Sequence, residues 1–147
     1  MMSFRISVES VIYRHLQDMP GEVLLVKRAS DCRVAPNVWN VPAGKVDFLE
    51  RTYEAVVRET SEETGLKVKV VQLLSEDAFE IRVGDDKAYR NMFTYLTQAT
   101  DNDQEVKLNK EHTQFKWVTE KEIHSEEYAS LMPRLKQIIL EVFKSHE

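Results

Sequence analysis

The sequence predicts an α/β domain, a mixed sheet covered by helices. Short runs rich in β-branched and aromatic residues recur along most of the 147-residue chain, as strands do. Only two stretches, 50–64 and 132–144, read as helices. One is internal and the other closes the chain, which suits a sheet with helices packed on it. The length fits a single domain over 1–147, large enough to fold without disulfides or a structural metal.

Residues 4–13 are β-rich and read as a strand, and Met19-Pro20-Gly21 turns the chain. Glu22 to Arg28, centred on Val23-Leu24-Leu25-Val26, reads as a buried strand. A polar loop over 29–37 leads to a short extended piece from Trp39 to Val41, stopped by Pro42. After the helix at 50–64, strands are expected at 67–74, 79–83, 88–97 and 114–118, with the second and third paired across a turn at Gly84. The closing helix at 132–144 tolerates Pro133 in its first turn. Its Leu135, Ile138, Ile139 and Val142 have the spacing of one buried face.

Lys plus Arg is 20 against 25 for Asp plus Glu, a formal charge of −5. That balance argues against a general nucleic-acid or anionic-membrane binder. No apolar run approaches the ~18 residues of a membrane span. Met1-Met2-Ser3-Phe4-Arg5 lacks a signal-peptide pattern, and Cys32, the single cysteine, cannot form an internal disulfide. A reducing cytoplasm is therefore the expected compartment.

The internal helix carries the chemistry. On a helical projection Tyr53, Val56, Val57, Thr60 and Thr64 form the core stripe, while Glu59, Glu62 and Glu63 share the opposite face. Like charges at this spacing repel, and the helix C-terminus disfavours anions. A divalent cation accounts for both, and clustered hard oxygen ligands suit Mg²⁺ or Mn²⁺. A bare run of acids is more often a solvated face. The wider spacing is what separates this one from that background: Gly44, five residues, Glu50, seven, Arg58-Glu59, two, Glu62-Glu63, one, Gly65. Seven such fixed positions arise by chance in about one chain in a million of this composition.

This spacing resembles the signature of the Nudix hydrolase family (MutT-like). All seven fixed positions match, Leu66 fits the apolar position that follows, and Asn40-Val41-Pro42-Ala43-Gly44-Lys45 resembles the usual lead-in. The resemblance implies an α/β/α sandwich around a mixed sheet. It implies hydrolysis of a nucleoside diphosphate linked to another group, by water attack on phosphorus with Mg²⁺ or Mn²⁺. Carried over by position, Glu59, Glu62, Glu63 and the Ala43 carbonyl would hold metal, and Arg58 would orient carboxylates, Glu50 and Glu62 first. Gly44 would let the backbone approach the metal, and Gly65 would cap the helix in the left-handed conformation. Three positions depart from the family pattern: Ala43 and Leu49 stand where glycine is common, and Thr60 where an aliphatic residue is usual.

The rest of the site is less determined. Glu111 is the candidate for a further loop carboxylate, with Glu105 and Asp103 as alternatives. His112 reads as a surface histidine, Trp117 as core and Cys32 as inert. Arg28 and Arg33 are candidates for phosphate, because a guanidinium grips phosphate bidentately. Trp39, Tyr89, Phe93 and Tyr95 are the aromatics available to stack on a base, Trp39 foremost, against the commoner role of strand aromatics in packing.

No Pro lies between positions 43 and 132, so the proline of many ADP-ribose hydrolases is missing. A nucleoside triphosphate is the default substrate by elimination, and a dinucleoside polyphosphate or nucleotide sugar the alternative. A non-catalytic nucleotide-binding regulator is disfavoured because every ligand position is kept. The resemblance leaves monomer and homodimer both open.

Overall fold

The computed structural model describes residues 3–147. Met1 and Met2, which belong to the stretch read above for a leader, lie outside the described residues. The elements are β1 (Ser3–Arg14), β2 (Glu22–Arg28), β3 (Trp39–Asn40), β4 (Ala43–Lys45), α1 (Thr52–Thr64), β5 (Val68–Val83), β6 (Asp86–Ala99), β7 (His112–Thr119) and α2 (Pro133–Ser145), with two short 3-10 turns before α2. Among the described residues no helix is long and apolar enough to cross a membrane.

The sheet runs β3-β2-β1-β6-β5, with β4 on β1 and β7 on β2. It is mixed, because β1 and β6 are parallel while the other pairs are antiparallel. β1 and β2 pair only at Tyr13↔Val23 and Arg14↔Glu22. From that hinge they diverge, β1 toward β4 and β6, β2 toward β3 and β7.

Alternation along β1 places the two helices on opposite faces. Val8 packs with Ala55 and Val56 of α1 and with Tyr95. Val11, on the other face, packs with Leu96 and with Leu135, Ile139 and Val142 of α2. The result is the expected α/β/α sandwich.

Two expectations change. The strands foreseen at 67–74 and 79–83 are one strand, β5, paired with β6 throughout and irregular between Val70 and Gln72 and between Leu73 and Ser75. Ser75-Glu76-Asp77-Ala78 looked like a break because these residues are poor strand formers. Pairing with Thr94 to Asn91 keeps them extended. The core stripe of α1 also differs. Ala55, Val56, Thr60, Glu63 and Thr64 are buried, whereas Tyr53 is 46% exposed. A projection assumes cover on one side only, but α1 is also covered by β4 and by the loop before β7. The buried hydroxyls of Thr60 and Thr64 donate to the carbonyls of Val56 and Thr60, both at 2.7 Å, so neither is unsatisfied.

Candidate functional site

The helix starts at Thr52, and Glu50 stays outside it as part of a side-chain latch. Arg58 donates Nε to Glu50 Oε2 at 2.8 Å and Nη2 to Glu50 Oε1 at 2.9 Å. Its Nη1 reaches Glu59 Oε1 at 2.9 Å and Glu62 Oε2 at 3.2 Å, and Nη2 also donates to the Lys45 carbonyl at 2.9 Å. One guanidinium thus ties α1 to β4 and to the turn between them. The hydrogen bonds from Arg58 hold the Glu50 carboxyl down at a pKa of about 2, and Glu50 in turn raises Arg58. These contacts occupy the Arg58 fork with carboxylates and backbone.

Glu63 is the buried member of the set, 2% exposed. Its Oε1 accepts the Ala43 N–H at 3.3 Å and lies 3.6 Å from His112 Nε2. Burial first, then a hydrogen bond with Glu59, pushes the Glu63 pKa well above the carboxylate range, against the pull of the Ala43 N–H. The His112 ring is buried too, not on the surface, and burial followed by the Arg28 charge lowers its pKa to about 4. Nδ1 of His112 lies 3.1 Å from Asn109 Oδ1. An amide oxygen can only accept, which puts the proton on Nδ1 and turns the bare Nε2 toward Glu63. At 3.6 Å this contact is not an ion pair, because burial drives both partners toward their neutral forms.

Gly44 leaves room for the Glu59 carboxylate. A Cβ there would overlap the Glu59 carboxylate, and Gly44 is not among the glycines with positive φ. Steric room therefore replaces the conformational freedom expected of it. Gly65 does take the left-handed cap, with φ 74°. Leu49 adopts φ 62° and is fully exposed, so the turn keeps the geometry that glycine would favour. Along β4, carbonyls two residues apart point the same way. Lys45 offers its carbonyl to Arg58, so Ala43 presents its own toward the same helix.

The C-terminal turn of α1 is covered by the loop 100–111. Lys107 N–H donates to the Thr64 carbonyl at 2.7 Å and Asn109 N–H to that of Glu63 at 3.2 Å. These bonds satisfy helix-end acceptors and relieve part of the clash between anions and helix dipole. Within that loop the Glu111 charge acts on Glu63. The Gln104 side chain, between Asp103 and Glu105, bonds instead to the backbone of Lys67, past the helix end.

The other expected residues divide. Arg28 ends β2, donates Nε to the Val34 carbonyl at 2.9 Å and adds its charge near His112. Arg33 is exposed on the loop before β3. Trp39 is 3% exposed, its ring edge-on to Tyr128 at 5.1 Å. It belongs to the core beneath α2, and a ring so buried packs in the core rather than offering a face to a base, which corrects the expected stacking role. His112 and Asn109 were missed as site residues, because nothing in their local pattern announces burial.

Among the described residues no three acidic, histidine or cysteine side chains form a preformed coordination set. Glu59 and Glu62 are turned onto Arg58 instead. The donors still fit a hard cation. Burial and the neighbouring Glu59 carboxyl both disfavour the charged form of Glu63. A divalent ion supplies the positive charge that such a pair lacks.

The NUDIX domain profile matches residues 8–139. The nucleoside triphosphatase NudI of Escherichia coli is 32% identical over 103 residues, which are 67% of this chain and 73% of that protein. The asymmetrical bis(5'-nucleosyl)-tetraphosphatase of Rattus norvegicus is 31% identical over 80 residues, 54% of each chain, so this chain spans about half the length of that relative. The crystal structure of a MutT protein from Methanosarcina mazei Go1 superposes with a TM-score of 0.74 at 27% identity, covering 99% of this chain and 96% of that one. With the profile covering most of its length and the fold and spacing in agreement, the chain belongs to the Nudix family.

Proposed function

We propose that the protein hydrolyses a phosphoanhydride bond of a nucleoside polyphosphate, with a nucleoside triphosphate as the first substrate, using Mg²⁺ or Mn²⁺ held by Glu59, Glu62, Glu63 and the Ala43 carbonyl. The observation that carries this reading is Glu63. A carboxyl 2% exposed, pressed against Glu59 and fed by the Ala43 N–H, is costly unless a cation is meant to join it. Held by these residues, a divalent ion would supply positive charge for the phosphate oxygens and a water of lowered pKa. Arg58 aims Glu59 and Glu62 while Glu50 anchors Arg58. In this reading Glu111, exposed and with its charge acting on Glu63, takes the proton from the attacking water. Arg28 meets phosphate oxygens beside the carboxylates.

A second reading, asymmetrical cleavage of a dinucleoside tetraphosphate, is supported by the activity named for the rat relative. Phosphate release across a panel of nucleoside triphosphates, dinucleoside polyphosphates and nucleotide sugars, with Mg²⁺ and with excess chelator, tests both. Hydrolysis that persists in chelator would overturn the metal assignment. No hydrolysis of any nucleotide would overturn the reaction.

A further inference from the structure

The sheet face that carries α2 is not fully covered by it. Register puts Arg5 beside Arg90 across the parallel β1–β6 pair, and Phe79 of β5 beside Arg90. Paired residues point to one face, so Arg5 and Arg90 lie on the side of Glu9 and Val11. Glu9, 3% exposed, is already matched: Arg134 Nη2 reaches its Oε1 at 2.7 Å and Thr94 Oγ1 at 2.6 Å. Arg134 is shared with Asp77 at 3.2 Å.

Arg5, Arg90 and Arg28 are different. Among the described residues none of the three has a carboxylate within ion-pair distance. Arg90 Nε is buried and makes no hydrogen bond. Burial, then the charges of Arg5 and Arg28, disfavour the Arg90 cation, opposed by Glu9. Arg5 and Arg90 are register partners and, like Arg28, half-buried; such a group of guanidiniums without carboxylate partners, in a chain of net charge −5, suits an anion. Arg28 links this group to the carboxylate centre, since its charge reaches both Arg90 and His112. Where β1 and β2 splay apart, Arg28 ends one arm and Arg5 begins the other. Glu9 faces Ala43 in the β1–β4 register, so about 13 Å of strand separates Arg5 from the point opposite the Ala43 carbonyl. Each phosphate added to the chain shortens what the arginine side chains must reach across that span.

We propose that Arg5 and Arg90, joined to the carboxylate centre by Arg28, bind the phosphate groups of the substrate that lie beyond the scissile anhydride. Phosphate number then selects the substrate ahead of the base. This rests on the polyphosphate reading of the site.

The test uses wild type, Arg5→Gln, Arg90→Gln and Arg90→Lys, with inorganic tripolyphosphate as a probe in chelator. Without metal the carboxylates repel this anion, so binding reports the arginines. Wild type should bind it, and each glutamine variant should bind about tenfold more weakly, with Arg90→Lys between them. In the melting temperature without ligand, Arg5→Gln should match wild type, because a repelled surface-edge charge is removed. In turnover, both glutamine variants should raise KM about tenfold for a nucleoside triphosphate or a dinucleoside tetraphosphate, and clearly less for a diphosphate-linked sugar, with kcat changed under threefold. A larger change for the triphosphate marks a terminal phosphate at the arginines, and a larger change for the tetraphosphate an internal one. If tripolyphosphate fails to bind wild type, or binds Arg5→Gln and Arg90→Gln as tightly as wild type, the subsite does not exist. If no nucleotide is hydrolysed yet tripolyphosphate binding depends on both arginines, the reaction assignment fails and the subsite stands.

Discussion

Arg58 grips Glu50 through two parallel hydrogen bonds, at 2.8 and 2.9 Å, and so fastens the turn after β4 to the middle of α1. Arg58→Ala should lower turnover at least tenfold by releasing Glu59 and Glu62, and should cost about 1–3 kcal/mol of stability. The pair also sets an acid limb. Glu50 titrates at about 2 in the folded chain, below its unfolded value, so its stabilisation is present above ~4.5 and is lost as pH falls toward 2. Melting temperature against pH should fall more steeply over that window for wild type than for Glu50→Gln. Identical profiles would show that the latch adds no stability.

Gly44 sits where a Cβ would strike the Glu59 carboxylate. Gly44→Ala should keep the fold yet displace Glu59, reducing turnover by more than tenfold and weakening stabilisation by Mg²⁺. Ala43→Gly makes the complementary comparison, because it keeps the carbonyl and should stay within a fewfold of wild type. A Gly44→Ala protein with normal turnover would remove Glu59 from the metal site.

Glu63 offers a test that separates chemistry from folding. Its folded pKa is raised by burial and Glu59. A raised carboxyl adds stability below its unfolded pKa, and that contribution is lost as pH rises through the folded value. Wild type without metal should therefore lose stability from about pH 4.5 into the alkaline range. Glu63→Gln carries no such charge and should melt at or above wild type at pH 8. Added Mg²⁺ should stabilise wild type and hardly affect the variant, whose turnover should be nearly abolished. A variant that melts far below wild type in chelator would make Glu63 a structural residue instead.

Leu49 holds φ 62° with its side chain in solvent. A left-handed leucine costs about 1–2 kcal/mol, and glycine recovers that at the expense of a more flexible unfolded chain, about 0.4–1 kcal/mol. Leu49→Gly should raise stability by roughly 0.5 kcal/mol net and leave turnover within twofold. A drop in melting temperature would mean that Leu49 makes contacts that its exposure hides.

The sequence by itself determined what depends on neighbours along the chain. β2 is found at Glu22–Arg28 as its apolar run demands, and Gly65 caps α1 where the spacing places it. The Gly44-to-Gly65 spacing named the family, and it picked out Arg58 and the glutamates to which it donates hydrogen bonds, because a helix converts sequence intervals into a face. Tertiary structure decided everything that depends on what covers a face. Glu63 and His112 look like polar surface residues until β4 and the loop 100–111 close over them, and that burial is what perturbs both. Trp39 looks like a stacking platform until Tyr128 and α2 enclose it. Arg5 and Arg90 stand 85 residues apart in the chain and meet only because β1 and β6 pair in parallel. Local sequence records which way a side chain points, and long-range pairing decides whether it meets water, protein or another charge.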